Sequence, residues 1–186
     1  MSEKEFILFL DCGDTIIDEG TEIRDENDVV IQAELIPGAD VMVKSLAERG
    51  YRLALVADGL AQSFKNMLTD HGLYDYFETM TYSETVKVCK PSRRMFKAAV
   101  GAMDLTEDDY SRIIMVGNNL AKDVKGANRL GMTSVFLDWT PRYPKEPADE
   151  METPDYTISS PEELVALVDQ LHEEWQSTKR GKGTTV

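Results

Sequence analysis

Short apolar runs of strand length alternate along this chain with segments whose apolar residues recur at helical spacing. Phe6–Leu10 is a continuous apolar run bounded by polar residues, the pattern of a strand buried on both faces. Pro37-Gly38 opens a helix with Ala39, Met42, Val43, Leu46 and Ala47 on one face and Gly50 at its end. Arg52–Ala57 reads as a second strand, and Leu60, Phe64, Met67 and Leu68 form the next helical stripe, closed by Gly72. A short extended stretch at Thr79–Ser83 precedes Lys90-Pro91, and Met95, Phe96, Ala99, Val100 and Met103 mark another amphipathic helix. Ile113–Val116 and Thr133–Leu137 read as further strands around a helix carrying Leu120, Val124, Ala127 and Leu130. Ser160-Pro161-Glu162-Glu163 has the form of a capping box and opens a last helix.

Such alternation implies βαβ units, right-handed crossovers and a parallel α/β sheet. Ligands of such sheets bind beyond the carboxyl ends of the strands. Four polar segments fall there: Asp11–Thr15, Ala57-Asp58-Gly59, Gly117-Asn118-Asn119 and Asp138–Tyr143. With no internal repeat or linker, the reading is one domain over 1–175, with a disordered Gly- and Thr-rich tail at 176–186.

A net charge of −14 argues against nucleic acid as a partner. No apolar run approaches the roughly 18 residues of a membrane span, and the acidic start MSEKEFILFLDCGD is unlike a signal peptide. Two distant cysteines make neither a disulfide framework nor a zinc site, which points to a reducing cytoplasm.

A carboxylate directly after a buried strand, as at Asp11, must be paired or metal-bound to offset its desolvation. It is placed to attack phosphorus and form an aspartyl phosphate. Lys90, read as lying at another strand end, can neutralise that carboxylate and a phosphoryl oxygen. Asp123 adds a hard oxygen ligand suited to magnesium. Any one of these alone reads as ordinary solvated surface; in this order they form a constellation.

On FLDCGDTIID, LALVADG, VCKPSRRMF and MVGNNLAKDVKGANRLGMTSV, the chain resembles the haloacid dehalogenase-like superfamily over most of residues 6–137. The resemblance implies a three-layer Rossmann-like sandwich, a magnesium cofactor and a phosphorylated substrate. It makes Asp11 the nucleophile, Lys90 the charge-neutralising lysine, and Asp123 and the Gly13 carbonyl metal ligands. Three positions depart from the pattern. Gly13 stands where the family's phosphatases carry an acid that protonates the leaving group, a loss typically costing about 10²–10⁴ in rate. Asp14 lies one position too late to replace it. Ala57 replaces the hydroxyl of the second motif, ahead of Asp58 and Gly59. Asn118 replaces an acid of the last motif, keeping an oxygen ligand but no charge.

These departures predict a preference for good leaving groups such as aryl and acyl phosphates. A phosphate- or partner-binding module is the alternative reading, and a metal-independent dehalogenase a lesser one. Family members often carry a lid, but the segment from Asp18 to Pro37 suits only a small β-flap near 19–36. A site without a lid needs a large substrate, or a second copy in a homo-oligomer, to cover it. Arg142 in the loop after the fifth strand is placed to clasp an anionic substrate, with Lys122 and Arg24 weaker candidates. Alternatively that loop is a rigid one whose Trp139 and Tyr143 pack onto the last helix. Cys12 and Cys89 neighbour Asp11 and Lys90, so a redox latch competes with a reading of buried inert thiols.

Overall fold

The structure, a computed structural model, describes residues 4–182. Its first strand, β1 (Ile7–Leu10), pairs on both edges and is buried along its whole length, its side chains alternating between two apolar layers. A two-stranded antiparallel hairpin follows, β2 (Ile23–Arg24) and β3 (Val30–Gln32). The chain then alternates through α1 (Ala39–Glu48), β4 (Arg52–Ala57), α2 (Ala61–Asp70), β5 (Thr79–Tyr82), α3 (Ser83–Val86) and α4 (Arg93–Ala102). It continues through β6 (Ile113–Gly117), a π turn at Leu120–Val124, α5 (Lys125–Asn128), β7 (Thr133–Leu137), β8 (Tyr156–Ile158) and α6 (Pro161–Lys182).

Six strands form one parallel sheet in the order β5-β4-β1-β6-β7-β8. The chain fills one side of β1 first and the other side afterwards, so the order reverses at β1. A crevice for ligands opens at such a switch point, beyond the strand ends. Alternation along β1 divides the core. Leu8 and Leu10 belong to the apolar layer that includes α1, α2 and α6, while Ile7 and Phe9 belong to the layer that includes α4 and α5. This is a three-layer Rossmann-like sandwich. No separate cap is present among the described residues, and the segment after β1 carries a 3₁₀ turn (Glu19–Thr21) and the hairpin. That hairpin is docked on α2, where the Val30 N–H donates to Ser63 Oγ (2.9 Å) and Asn66 Nδ2 donates to the Val30 carbonyl (2.9 Å).

Three expectations need correction. The chain remains helical through Lys182, so its Gly-rich composition does not end the helix at 175; residues 183–186 lie outside the described part. The helix expected around Leu120–Leu130 is a π turn followed by the short α5. Lys90 does not end a strand, because α3 intervenes between β5 and it.

Candidate active site

Asp11 continues the β1–β6 ladder by one residue, its N–H donating to the Val116 carbonyl at 3.0 Å. The chain then turns sharply, with the Ile16 and Ile17 N–H groups both donating to the Cys12 carbonyl (2.8 and 3.0 Å). A cleft of about 400 Å³ opens here, with Asp11, Gly13, Asp58, Gly59, Lys90, Asn118, Asn119 and Lys122 along its lining. Glu22, Arg24, Asp28 and Val30 of the hairpin segment form another wall, Leu60, Phe64 and Met67 add an apolar one from α2 and its approach, and Glu19 and Tyr143 stand at the rim.

At its floor Lys90 Nζ lies 2.7 Å from Asp11 Oδ1 and 2.7 Å from Asp123 Oδ1, and donates to the Val56 carbonyl at 2.8 Å. Burial works against the ammonium, but the two carboxylates outweigh it and hold Lys90 above the ordinary lysine range. Burial pushes the Asp123 carboxyl above the usual carboxylate range; Lys90 pulls against that shift and Asp11 adds to it. One cation thus serves two carboxylates. Asp123 Oδ2 accepts the Asn119 N–H at 3.1 Å. The carboxylate fits only because Gly117 lacks a side chain, since a Cβ there would come within 2.2 Å of Oδ2.

The Ala57-Asp58-Gly59 trio divides. Ala57 ends β4, is buried and does not line the cleft, whereas Asp58 and Gly59 do. Asp58 is already engaged: Oδ1 accepts the Lys90 N–H (3.0 Å) and Oδ2 pairs with Lys122 Nζ (3.0 Å). It positions the backbone of the lysine that meets Asp11, a link the motif pattern did not suggest. The Gly59 N–H donates to Ser83 Oγ at 2.9 Å.

Asn118 is buried, and its Nδ2 has no hydrogen-bond partner. With Asp11, the Gly13 carbonyl and Asp123 it offers hard oxygen donors of the kind magnesium takes. No closed cage of three Asp, Glu, His or Cys side chains forms among the described residues. Two carboxylates with neutral oxygens match an ion that keeps several of its waters. The charge balance agrees: the lining carboxylates Asp11, Glu19, Glu22, Asp28 and Asp58 outnumber Arg24, Lys90 and Lys122. A phosphate dianion entering this cleft meets net repulsion unless a further cation is present.

Arg142 is turned away from the cleft floor. Its Nε lies 2.6 Å from Asp14 Oδ2, and its Nη2 lies 3.0 Å from Asp18 Oδ1. Asp14 is fully buried, and its Oδ1 also accepts the Glu19 N–H at 3.1 Å. Arg24 is likewise engaged, with Glu22 and Asp28. The Tyr143 hydroxyl donates to Glu19 Oε2 at 2.9 Å. Glu19 was invisible to motif spacing. It reaches the cleft through a 3₁₀ turn, Glu19–Thr21, whose Gly20 N–H donates to Asp18 Oδ1 at 2.8 Å. Burial raises its carboxyl above the usual range, with neighbouring Asp14 and Asp11 adding to the shift against the Tyr143 bond. Both cysteines are free thiols; Cys12 is buried and its thiol is pushed well up by burial, whereas Cys89 is exposed. A thiol held protonated in this way is inert.

No helix among the described residues is long and apolar enough to cross a membrane. The sequence model of the haloacid dehalogenase-like hydrolases matches residues 15–137. A glyceraldehyde 3-phosphate phosphatase of Methanopyrus kandleri is 32% identical over 141 residues, covering 75% of this chain and 59% of that protein. A phosphoserine phosphatase of Thermus thermophilus is 30% identical, over 70% of this chain and 49% of that protein. The chain therefore spans about half to three-fifths of the length of these relatives. The crystal structure of a HAD phosphatase from Thermococcus onnurineus superposes with a TM-score of 0.62 at 25% identity, covering 73% of this chain and 59% of that one. With the family's sequence pattern carried on a parallel sheet that reverses at β1, this chain belongs to the haloacid dehalogenase-like hydrolases.

Proposed function

We propose that the cleft hydrolyses phosphate monoesters with magnesium bound, through attack of Asp11 on phosphorus. The observation that carries this reading is the Lys90 ammonium set 2.7 Å from both Asp11 and Asp123. A buried lysine so placed keeps the nucleophile correctly turned, and it offers positive charge where negative charge develops.

Asp11, Asn118, Asp123 and the Gly13 carbonyl would hold the magnesium ion. When bound it supplies the positive charge that the acidic lining lacks and polarises a phosphoryl oxygen. Lys90 occupies Asp11 Oδ1, which leaves Oδ2 to form the bond to phosphorus as the bond to the leaving oxygen breaks. Water then attacks the aspartyl phosphate, releasing inorganic phosphate and restoring the carboxylate. Asp58 keeps Lys90 and Lys122 in place, and Lys122 offers an anion-binding charge at the rim. Arg142 acts on Asp14 rather than on substrate. The named activities of the relatives, on glyceraldehyde 3-phosphate and phosphoserine, favour a small phosphorylated metabolite.

The test is magnesium-dependent hydrolysis of 4-nitrophenyl phosphate and acetyl phosphate, with Asp11→Asn and chelated samples as controls. Turnover that both controls abolish is expected. Magnesium binding without turnover would instead favour a phosphate-binding module.

A further inference from the structure

Position 13 lies two residues past the nucleophile and has no side chain, yet its space is filled. A Cβ built on Gly13 would fall 2.0 Å from Glu19 Oε1, 2.8 Å from its Cδ and 2.9 Å from its Cγ. The Glu19 carboxyl group thus stands where a side chain on residue 13 would begin. Gly13 and Glu19 line the same cleft as Asp11. We propose, resting on the phosphohydrolase reading above, that Glu19 is the general acid–base of this site, delivered from the 3₁₀ turn instead of from position 13.

The surroundings of Glu19 suit that work. Tyr143 donates to Oε2 at 2.9 Å, which fixes the carboxyl plane and leaves Oε1 as the oxygen nearest Gly13. Among the described residues no Lys or Arg lies within ion-pair distance of the Glu19 carboxyl; Arg142 pairs with Asp14 and Asp18 instead. Its backbone is held by the bond from the Glu19 N–H to Asp14 Oδ1 (3.1 Å), and Arg142 in turn grips Asp14. Asp14, the other acid nearby in sequence, is fully buried with both oxygens engaged and is not available.

In the first step Asp11 bonds to phosphorus, the bond from phosphorus to the leaving oxygen breaks, and the Glu19 carboxyl gives its proton to that oxygen. In the second, water gives a proton to the Glu19 carboxylate as its oxygen bonds to phosphorus. Asp11 then leaves as a carboxylate and phosphate departs, returning both side chains to their starting forms. With a proton donor in place, poor leaving groups come within reach, and the restriction to aryl and acyl phosphates expected from Gly13 alone is lifted.

The experiment is a series of kcat/KM values for the full chain with magnesium, over 4-nitrophenyl phosphate, phenyl phosphate and glycerol 3-phosphate. This ratio reports events up to loss of the leaving group. Glu19→Gln is expected to lower the alkyl phosphate value by about 10²–10⁴, with a much smaller loss on 4-nitrophenyl phosphate, whose leaving group needs no proton. Gly13→Asp alone should lose alkyl activity by crowding Glu19. The double variant Gly13→Asp, Glu19→Ala should recover part of it, because the vacated space then admits the new acid. An equal loss on all three substrates, or none, in Glu19→Gln would overturn the assignment while leaving an Asp11-dependent hydrolase standing. A wild-type chain inactive on every ester would overturn the phosphohydrolase reading and this assignment with it.

Discussion

Arg142 reaches from the loop after β7 to Asp14, a fully buried carboxylate in the left-handed region (φ 47°), and so closes the segment that starts at the nucleophile. Removing that grip with Arg142→Gln leaves a buried charge without its cation and frees the turn that bears Glu19. The expected result is a lower melting temperature and a fall in kcat of up to about 10²-fold, the cost of misplacing a reacting group by an ångström or so. Steady-state kinetics beside a thermal melt would check it. Unchanged kinetics with a lowered melting temperature would make the contact purely structural.

Lys90 pairs with both the half-buried Asp11 and the buried Asp123 in the cleft floor. Lys90→Met should abolish turnover and cost about 3–5 kcal/mol of stability, the usual result of breaking a buried pair from one side. Adding Asp123→Asn should restore part of the stability and none of the activity. Denaturant unfolding of the two single variants and the double variant measures this coupling.

Asn118 contributes oxygen without charge. Asn118→Asp is expected to tighten magnesium binding, visible as a larger rise of melting temperature on adding the ion. Ligand saturating at a hundred times its dissociation constant adds about 2.7 kcal/mol, so the shift is measurable in the absence of any substrate. Chelation should lower the melting temperature of both proteins, and further in Asn118→Asp, whose added carboxylate then faces Asp11 and Asp123 without the ion.

Gly117 leaves room for the Asp123 carboxylate, and a Cβ there would lie 2.2 Å from Oδ2 and 2.7 Å from the Asp123 Cβ. Since Asp123 is itself enclosed, Gly117→Ala should overpack the site at about 1–3 kcal/mol and displace Asp123 from Lys90. Activity and stability should fall together. Retained activity would show that the floor can give way.

His172 is buried between the rings of Phe6 and Tyr51, with Nδ1 lacking a partner and Nε2 facing Gln176 at 2.9 Å. Burial lowers its pKa and Lys4 adds to this, against the nearby carboxylates Glu5, Asp169 and Glu173. The unfolded chain therefore takes up this proton first, and stability drops as the pH falls from near 6.5 through the lower folded value. Melting temperature should decline between about pH 7 and about pH 5, and His172→Phe should flatten that decline.

Much of this was legible beforehand because a parallel sheet writes itself as continuous apolar runs. Phe6–Leu10, Arg52–Ala57 and Thr133–Leu137 could hardly be anything else, and Asp11 was marked by ending the first of them. Other features carry no such signature. β8 is three residues long and largely exposed, so neither length nor hydrophobicity announces it. Asp58 and Glu19 take their positions from contacts across 32 and 124 residues of chain, with the Lys90 N–H and Tyr143 respectively. A motif lists what stands at fixed spacing. Gly13 therefore read as a loss, whereas in space the position is filled from six residues further along.

The stretch from Asp11 to Glu19 is a tether with two anchors. The Val116 carbonyl holds it at the nucleophile, and Arg142 and Tyr143 hold it at the other end. Both residues at the far anchor belong to a loop outside the sheet, where replacements are tolerated more readily than in β1. Changes there can shift the acid relative to the leaving group while the nucleophile stays fixed, so the range of esters accepted can evolve through residues that never touch the substrate.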